Sequence, residues 1–180
     1  MNFPYYKIVR KVLTGSECED LIAYGRFNAN LKESQVGVDK DLRRTSKNIR
    51  SSKNGWLHDL DNYTDKVTAA FMTAKRTTPE WDIPLLYLEP YQYAEYNPGD
   101  FYDWHKDQEK HSSDGSIRSL SMSLILQSAS EGGEFEIADH DPIALHRGDM
   151  IVFPSFVIHR VAKVISGQRM SVVGWWRGRV

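Results

Sequence analysis

Leu120-Ser121-Met122-Ser123-Leu124-Ile125-Leu126-Gln127 decides the fold class. Leu120, Met122, Leu124 and Leu126 alternate with Ser121, Ser123, Ile125 and Gln127, the period of two that sets one face of a strand on a core. Downstream, Glu134 to Ala138, Met150 to Phe153, His159 to Ile165 and Arg169 to Trp176 fit further short strands. Gly132-Gly133, Asp141-Pro142, Arg147-Gly148-Asp149 and Ser166-Gly167 separate them as turns. Upstream, Ile83 to Tyr93 is rich in Leu and Tyr and also fits a strand. Many short strands at close spacing suggest a double-sheet barrel or jelly roll.

The first third has a different period. Ser16-x-x-Glu19 fits a capping box, with Cys18, Leu21, Ile22 and Gly25 on one helical face after it. A second helix fits Leu57 to Lys75, where Leu60, Tyr63, Val67, Ala70, Phe71 and Ala74 recur at three- and four-residue steps. The expectation is an α+β chain with the helices packed outside the strand core. Between the helices, Asn28 to Gly55 is polar and rich in Lys and Arg, either a solvated loop or a lid over a site. Arg43-Arg44-Thr45-Ser46 and Arg50-Ser51-Ser52 within it are expected to be solvated rather than to touch substrate.

Composition removes several function classes. The 180 residues carry 23 Lys plus Arg against 24 Asp plus Glu, so no polyanionic partner is implied and no nucleic acid is expected. With Cys18 as the sole cysteine, neither an internal disulfide nor a cysteine-built zinc site can form. The longest apolar run, Met150 to Ile158, is interrupted by Pro154 and falls well short of the ~20 residues of a membrane span. The first residues show no basic segment followed by an apolar signal core, so a cytoplasmic location is expected.

The chemistry begins at His105-Lys106-Asp107. Two apart on a strand, this imidazole and carboxylate share a face and can grip one ion. His159, polar among Phe153, Val157, Ile158 and Val161, is the candidate third ligand, though a lone histidine there also fits an ordinary core residue. Two His and one carboxylate leave octahedral positions open, the arrangement of non-haem Fe(II) oxygenases, although such a set can also hold zinc for a hydrolase. His58, His111, His140 and His146 sit in polar or turn-like segments and fit surface positions. Arg169 follows His159 across the turn Ser166-Gly167 and would return to the barrel interior, where a buried guanidinium needs an anion. One anion is the far carboxylate of 2-oxoglutarate (2OG), whose keto-acid end chelates iron; the other is a structural partner such as Asp149.

The ordered set Tyr96-x-x-Gly99-x-x-Tyr102-x-x-His105-x-Asp107, Glu131-Gly132-Gly133-Glu134, Gly148-Asp149 through Phe153-Pro154-Ser155 to His159-Arg160-Val161, and Gly167-x-Arg169 with Trp175 resembles the 2OG/Fe(II) dioxygenase superfamily, and within it the prolyl 4-hydroxylase branch and its bacterial relatives. The resemblance covers Tyr87 to Trp176. It implies one dioxygenase domain over residues 1–180, with helical support over roughly 1–80 and a double-stranded β-helix over roughly 81–178. It further implies His105, Asp107 and His159 as iron ligands, and Arg169 and Tyr96 on the cosubstrate. Tyr102, Arg118 and Trp175 would lie on the peptide side. Tyr96 and Tyr102 also fit plain strand residues and Trp175 a core residue, while Trp176 should face the opposite side of its strand. Phe135 stands where prolyl hydroxylases often have Thr, which removes a hydroxyl from the cosubstrate pocket.

The implied activity is hydroxylation of a proline-containing peptide or protein, with Fe(II), 2OG and O2, and with ascorbate suggested by the family alone. The alternatives are the same chemistry on another protein side chain or a small molecule, or a non-catalytic jelly-roll binding module. Nucleobase repair is disfavoured because Trp175 stands six residues after Arg169, where a second arginine is wanted.

Overall fold

The computed structural model describes residues 3–34, 49–108 and 112–179. In chain order these form β1 (Lys7–Val9), α1 (Gly15–Asn28), β2 (Lys32–Glu33), β3 (Arg50–Ser51), β4 (Lys53–Leu57), α2 (Thr64–Arg76), β5 (Leu85–Leu88), β6 (Tyr91–Tyr96) and β7 (Phe101–His105). There follow β8 (Ile117–Gln127), β9 (Glu131–Gly132), β10 (Phe135–Ile137), β11 (Met150–Pro154), β12 (His159–Val161), β13 (Val164–Ser166) and β14 (Arg169–Gly178). A large sheet runs β1-β11-β8-β14-β6-β4-β2, with β5 also on β14; a smaller one runs β10-β12-β7-β3; β13 and β9 pair separately.

The alternation in β8 explains the layering. Leu120, Met122, Leu124 and Leu126 are fully buried and join Leu21 of α1, Phe71 of α2, Tyr91, Tyr93 and Val172 in the main core. Each such side chain contributes roughly 1.5–3 kcal/mol by leaving water. Ser121 and Ser123 are equally buried on the opposite face, toward the small sheet. Phe135 and Ile137 of β10 meet Ile151 and Phe153 of β11 between the two sheets. Farther along, Ala94 and Tyr96 meet Val161. The molecule is thus helices, large sheet, small sheet, with apolar side chains between the first two and a mixed, partly serine-lined space between the last two. No helix among the described residues is long and apolar enough to cross a membrane.

The N-terminal part differs from expectation in three ways. It contributes β1 to the edge of the large sheet, β2 and β4 to its other edge, and β3 to the small sheet, so it is not only helical. The capping box lies two residues earlier than Ser16 and Glu19. Thr14 Oγ1 accepts from the Glu17 N–H at 3.3 Å and Glu17 Oε2 accepts from the Thr14 N–H at 2.7 Å, because Thr14-x-x-Glu17 repeats the same pattern nearer the buried face. Helix α2 begins at Thr64, not Leu57, since Leu57 pairs with Tyr91 at the end of β4. Of the segment Asn28 to Gly55, residues 35–48, with Arg43, Arg44, Thr45 and Ser46, lie outside the described residues, as does His111.

Candidate metal centre

His105, Asp107 and His159 converge: one ligand atom from each lies within 4.8 Å of the others. His105 closes β7 and is the register partner of His159 on β12. Asp107 reaches them from the bend after β7, not from the strand itself as its spacing suggests. The neighbouring Gln108 N–H donates to Ser155 O at 2.8 Å and fixes that bend. Register also slips between His159 and Val161: two residues of β12 span three of β7, from His105 to Tyr102. This bulge turns Tyr102 and His105 to the same side, so their rings stack at 3.5 Å between centroids.

Hydrogen bonding fixes the imidazoles for coordination. His105 Nδ1 donates to Asp103 O at 2.7 Å and His159 Nδ1 to Val157 O at 3.0 Å. A carbonyl can only accept, so both Nδ1 atoms carry a proton and both Nε2 atoms are turned toward Asp107. Those Nε2 atoms stand 3.6 and 3.7 Å from the Asp107 oxygens. Burial pushes the His159 pKa down, outweighing Asp107, and favours the neutral ring. Burial opposes ionisation of Asp107, but the facing His159 and His105 side chains hold its carboxyl well below the usual range. Asp107 Oδ2 is nevertheless a buried oxygen without a hydrogen-bond partner. Two imidazoles presenting Nε2 around an orphaned carboxylate oxygen fit a divalent cation, and the set suits Fe(II) with open positions.

Arg169 starts β14 at 2 % exposure. Its Nη1 donates to Ser171 Oγ at 2.9 Å, its Nη2 has no partner, and its guanidinium lies 5.3 Å from the ring centroid of its register neighbour Tyr96. Asp149 does not neutralise it, being bound to Arg10 at 2.6 Å. Burial lowers the Arg169 pKa, and Arg50 nearby adds to the effect. The guanidinium borders a cavity of about 220 Å³ whose walls include Ile125, Gly133, Phe135 and Leu145. Phe135, in place of a hydroxyl residue, lies 5.3 Å from the His159 ring and nearly parallel to it. Strands β13 and β14 do not form the hairpin implied by Ser166-Gly167, since β13 pairs with β9 while β14 joins the large sheet.

Beyond the triad, Arg118 lies 3.9 Å over the Trp175 ring and is gripped by both oxygens of Glu89, which also receives Arg177 at 2.7 Å. Trp56, exposed, meets Trp175 at 5.8 Å. Trp176 packs on the other face, in the helix-side core. His58, His140 and His146 are exposed. Arg50, expected to be solvated, is buried: β3 pairs with β7 and sets its guanidinium 4.6 Å over Tyr102. Sequence reading also passed over Glu89 and Trp56. A carboxylate standing between the strands Leu85–Leu88 and Tyr91–Tyr96 was a usable signal for Glu89; the partner of Arg50 had none.

The profile of the 2OG-Fe(II) oxygenase superfamily matches residues 91–177, the span that holds the triad with Tyr96, Tyr102, Arg118, Arg169 and Trp175. A PKHD-type hydroxylase of Synechococcus sp. (strain CC9311) is 40% identical over 77 residues, 41% of this chain and 35% of that protein. One from Shewanella oneidensis is 35% identical over 105 residues, 54% of this chain and 46% of that protein. The chain thus spans less than half the length of these two curated relatives. The crystal structure of a viral collagen prolyl hydroxylase from Paramecium Bursaria Chlorella virus-1 superposes with a TM-score of 0.76 at 21% identity, over 97% of both chains.

Proposed function

Because this chain belongs to the 2OG-Fe(II) oxygenase superfamily, we propose that it is a 2OG-dependent hydroxylase of proline-containing peptides or proteins. Fe(II), 2OG and O2 supply the chemistry, coupling decarboxylation of 2OG to succinate with hydroxylation of a C–H bond. His105, Asp107 and His159 hold the metal through Nε2 and carboxylate oxygens whose orientation the Asp103 and Val157 carbonyls fix. Arg169, braced by Ser171 and flanked by Tyr96, receives the far carboxylate of 2OG, which compensates its buried charge. Tyr102, Arg118 and Trp175 line the peptide side, where flat aromatic faces suit proline rings. In this reading the two packed sheets are the double-stranded β-helix of a single domain, and ascorbate keeps the iron reduced.

The observations that carry the reading are a metal-ready triad and a buried guanidinium without an anion, joined by Phe135, which packs on the His159 ring and lines the cavity beside Arg169. The proline assignment is supported by the likeness to prolyl hydroxylases from Pseudomonas putida and a chlorella virus. The test is mass spectrometry of proline-containing peptides incubated with protein, Fe(II) and 2OG. The expected result is a gain of one oxygen on proline that Asp107→Ala abolishes, together with loss of stoichiometric metal binding in that variant. Oxygen gained only on other side chains would refute the proline assignment; metal bound equally by Asp107→Ala would refute the site.

A further inference from the structure

Arg50 is a buried cation whose polar partners among the described residues are all neutral. Its Nε donates to Ser52 Oγ at 2.9 Å and its Nη2 to Gln92 Oε1 at 3.1 Å, while its face covers the Tyr102 ring. The carboxylates of adjoining strands are committed elsewhere. Glu95 takes Arg26 and Tyr93, Asp100 takes Ser51 and the Asn97 N–H, the exposed Asp103 takes the Trp104 N–H, and Asp107 faces the two histidines. A guanidinium at 8 % exposure without an anion is costly, and the like charge of Arg169 raises that cost. Arg118 is a different case, because Glu89 already grips it with both oxygens.

Arg50 lies on the Tyr102 side of the site, with its charge within reach of Arg169. Its partner Gln92 is the register neighbour of both Val173 and Trp56. Val173 lies four residues beyond Arg169, about 13 Å along a strand, and two before Trp175. Arg50 therefore bridges from Ser52, next to the Lys53–Glu95 pair, to Gln92 on the Trp56–Trp175 side, and its guanidinium covers the Tyr102 ring that stacks on His105.

We infer that Arg50 is a carboxylate receptor and that the substrate bears a carboxylate close to the carbon that reacts. The inference rests on the hydroxylase reading above and narrows its substrate class from any proline-containing chain to an acidic one. Two sources present that chemistry, an acidic side chain flanking the proline and a free C-terminal carboxylate following it.

The test is calorimetric binding of short peptides to the protein loaded with Fe(II) and 2OG without O2. The probes are a blocked neutral Ala-Pro-Ala, the same peptide with Asp before or after the proline, and the same peptide with a free C-terminus. At least one carboxylate-bearing peptide should bind about ten- to a hundredfold more tightly than the neutral one, and which one does so identifies the source. Arg50→Gln should erase that advantage and Arg50→Lys should keep part of it; the Lys variant carries the test if the Gln variant fails to fold. Equal affinity for all four peptides, no binding of any, or an acidic preference that survives Arg50→Gln would overturn the inference. So would an Arg50→Gln effect confined to 2OG affinity. Failure of the hydroxylase reading shows separately, as protein that binds neither Fe(II) nor 2OG.

Discussion

At Arg169 a single side chain carries a cost that only a ligand removes. Its Nη2 is buried without a partner, and Asp149, the example of a structural anion that the sequence suggested, belongs to Arg10. Arg169→Leu should therefore leave the ligand-free protein no less stable, since it replaces an unpaired buried charge by an apolar group. Adding 2OG to the metal-loaded wild type at a hundred times its Kd should add about 2.7 kcal/mol and raise Tm by several degrees. That rise should vanish in Arg169→Leu, and a thermal scan with and without 2OG checks both halves. His105 and His159 make the complementary case: their type and order were plain in the chain, but the protonation of Nδ1 followed only from the carbonyls of Asp103 and Val157.

Among the elements, α1 shows how a correct motif can be assigned to the wrong residues. Ser16-x-x-Glu19 and Thr14-x-x-Glu17 are the same pattern two residues apart, and local sequence ranks them equally. The choice falls to Thr14 because the Leu13 N–H bonds Gly148 O at 3.2 Å, which anchors the chain just before the helix. Thr14→Ala should cost about 1 kcal/mol and Ser16→Ala less than about 0.5, measured by urea unfolding. Strand β7 carries a parallel lesson. A regular strand would put Tyr102 and His105 on opposite faces, and the bulge against β12 puts both on the metal side. The extra residue lies in β7, but it is extra only against the pairing that β12 imposes, so nothing in Phe101–His105 announces it.

Across the whole molecule, the N-terminal segment is fastened to the turn before β11. Asp149 accepts Arg10 Nη1, the Lys11 N–H and the His146 N–H, so one carboxylate joins residues far apart in sequence. Burial alone would raise its pKa, but those donors hold it below the ordinary value. A depressed folded pKa means the stabilisation is present above the unfolded value of about 3.9 and is lost as pH falls through the folded one. Asp149→Asn should destabilise by roughly 1–3 kcal/mol at pH 7, discounted toward the lower figure because Arg10 is half exposed, and the gap should narrow below about pH 4. Denaturation at the two pH values checks the sign. The chain's own order determined the alternating strands, the packing faces of both helices and the donor set His105, Asp107, His159 with Arg169, because periodicity and ligand chemistry are properties of residue type and spacing. Tertiary structure alone decided that Arg50 lies buried over Tyr102, that Glu89 clamps Arg118 on Trp175, and that Asp107 reaches its histidines from a bend. Those contacts depend on pairings between strands distant in sequence, whose register is set by what the facing strand buries and leaves no mark on the segment itself.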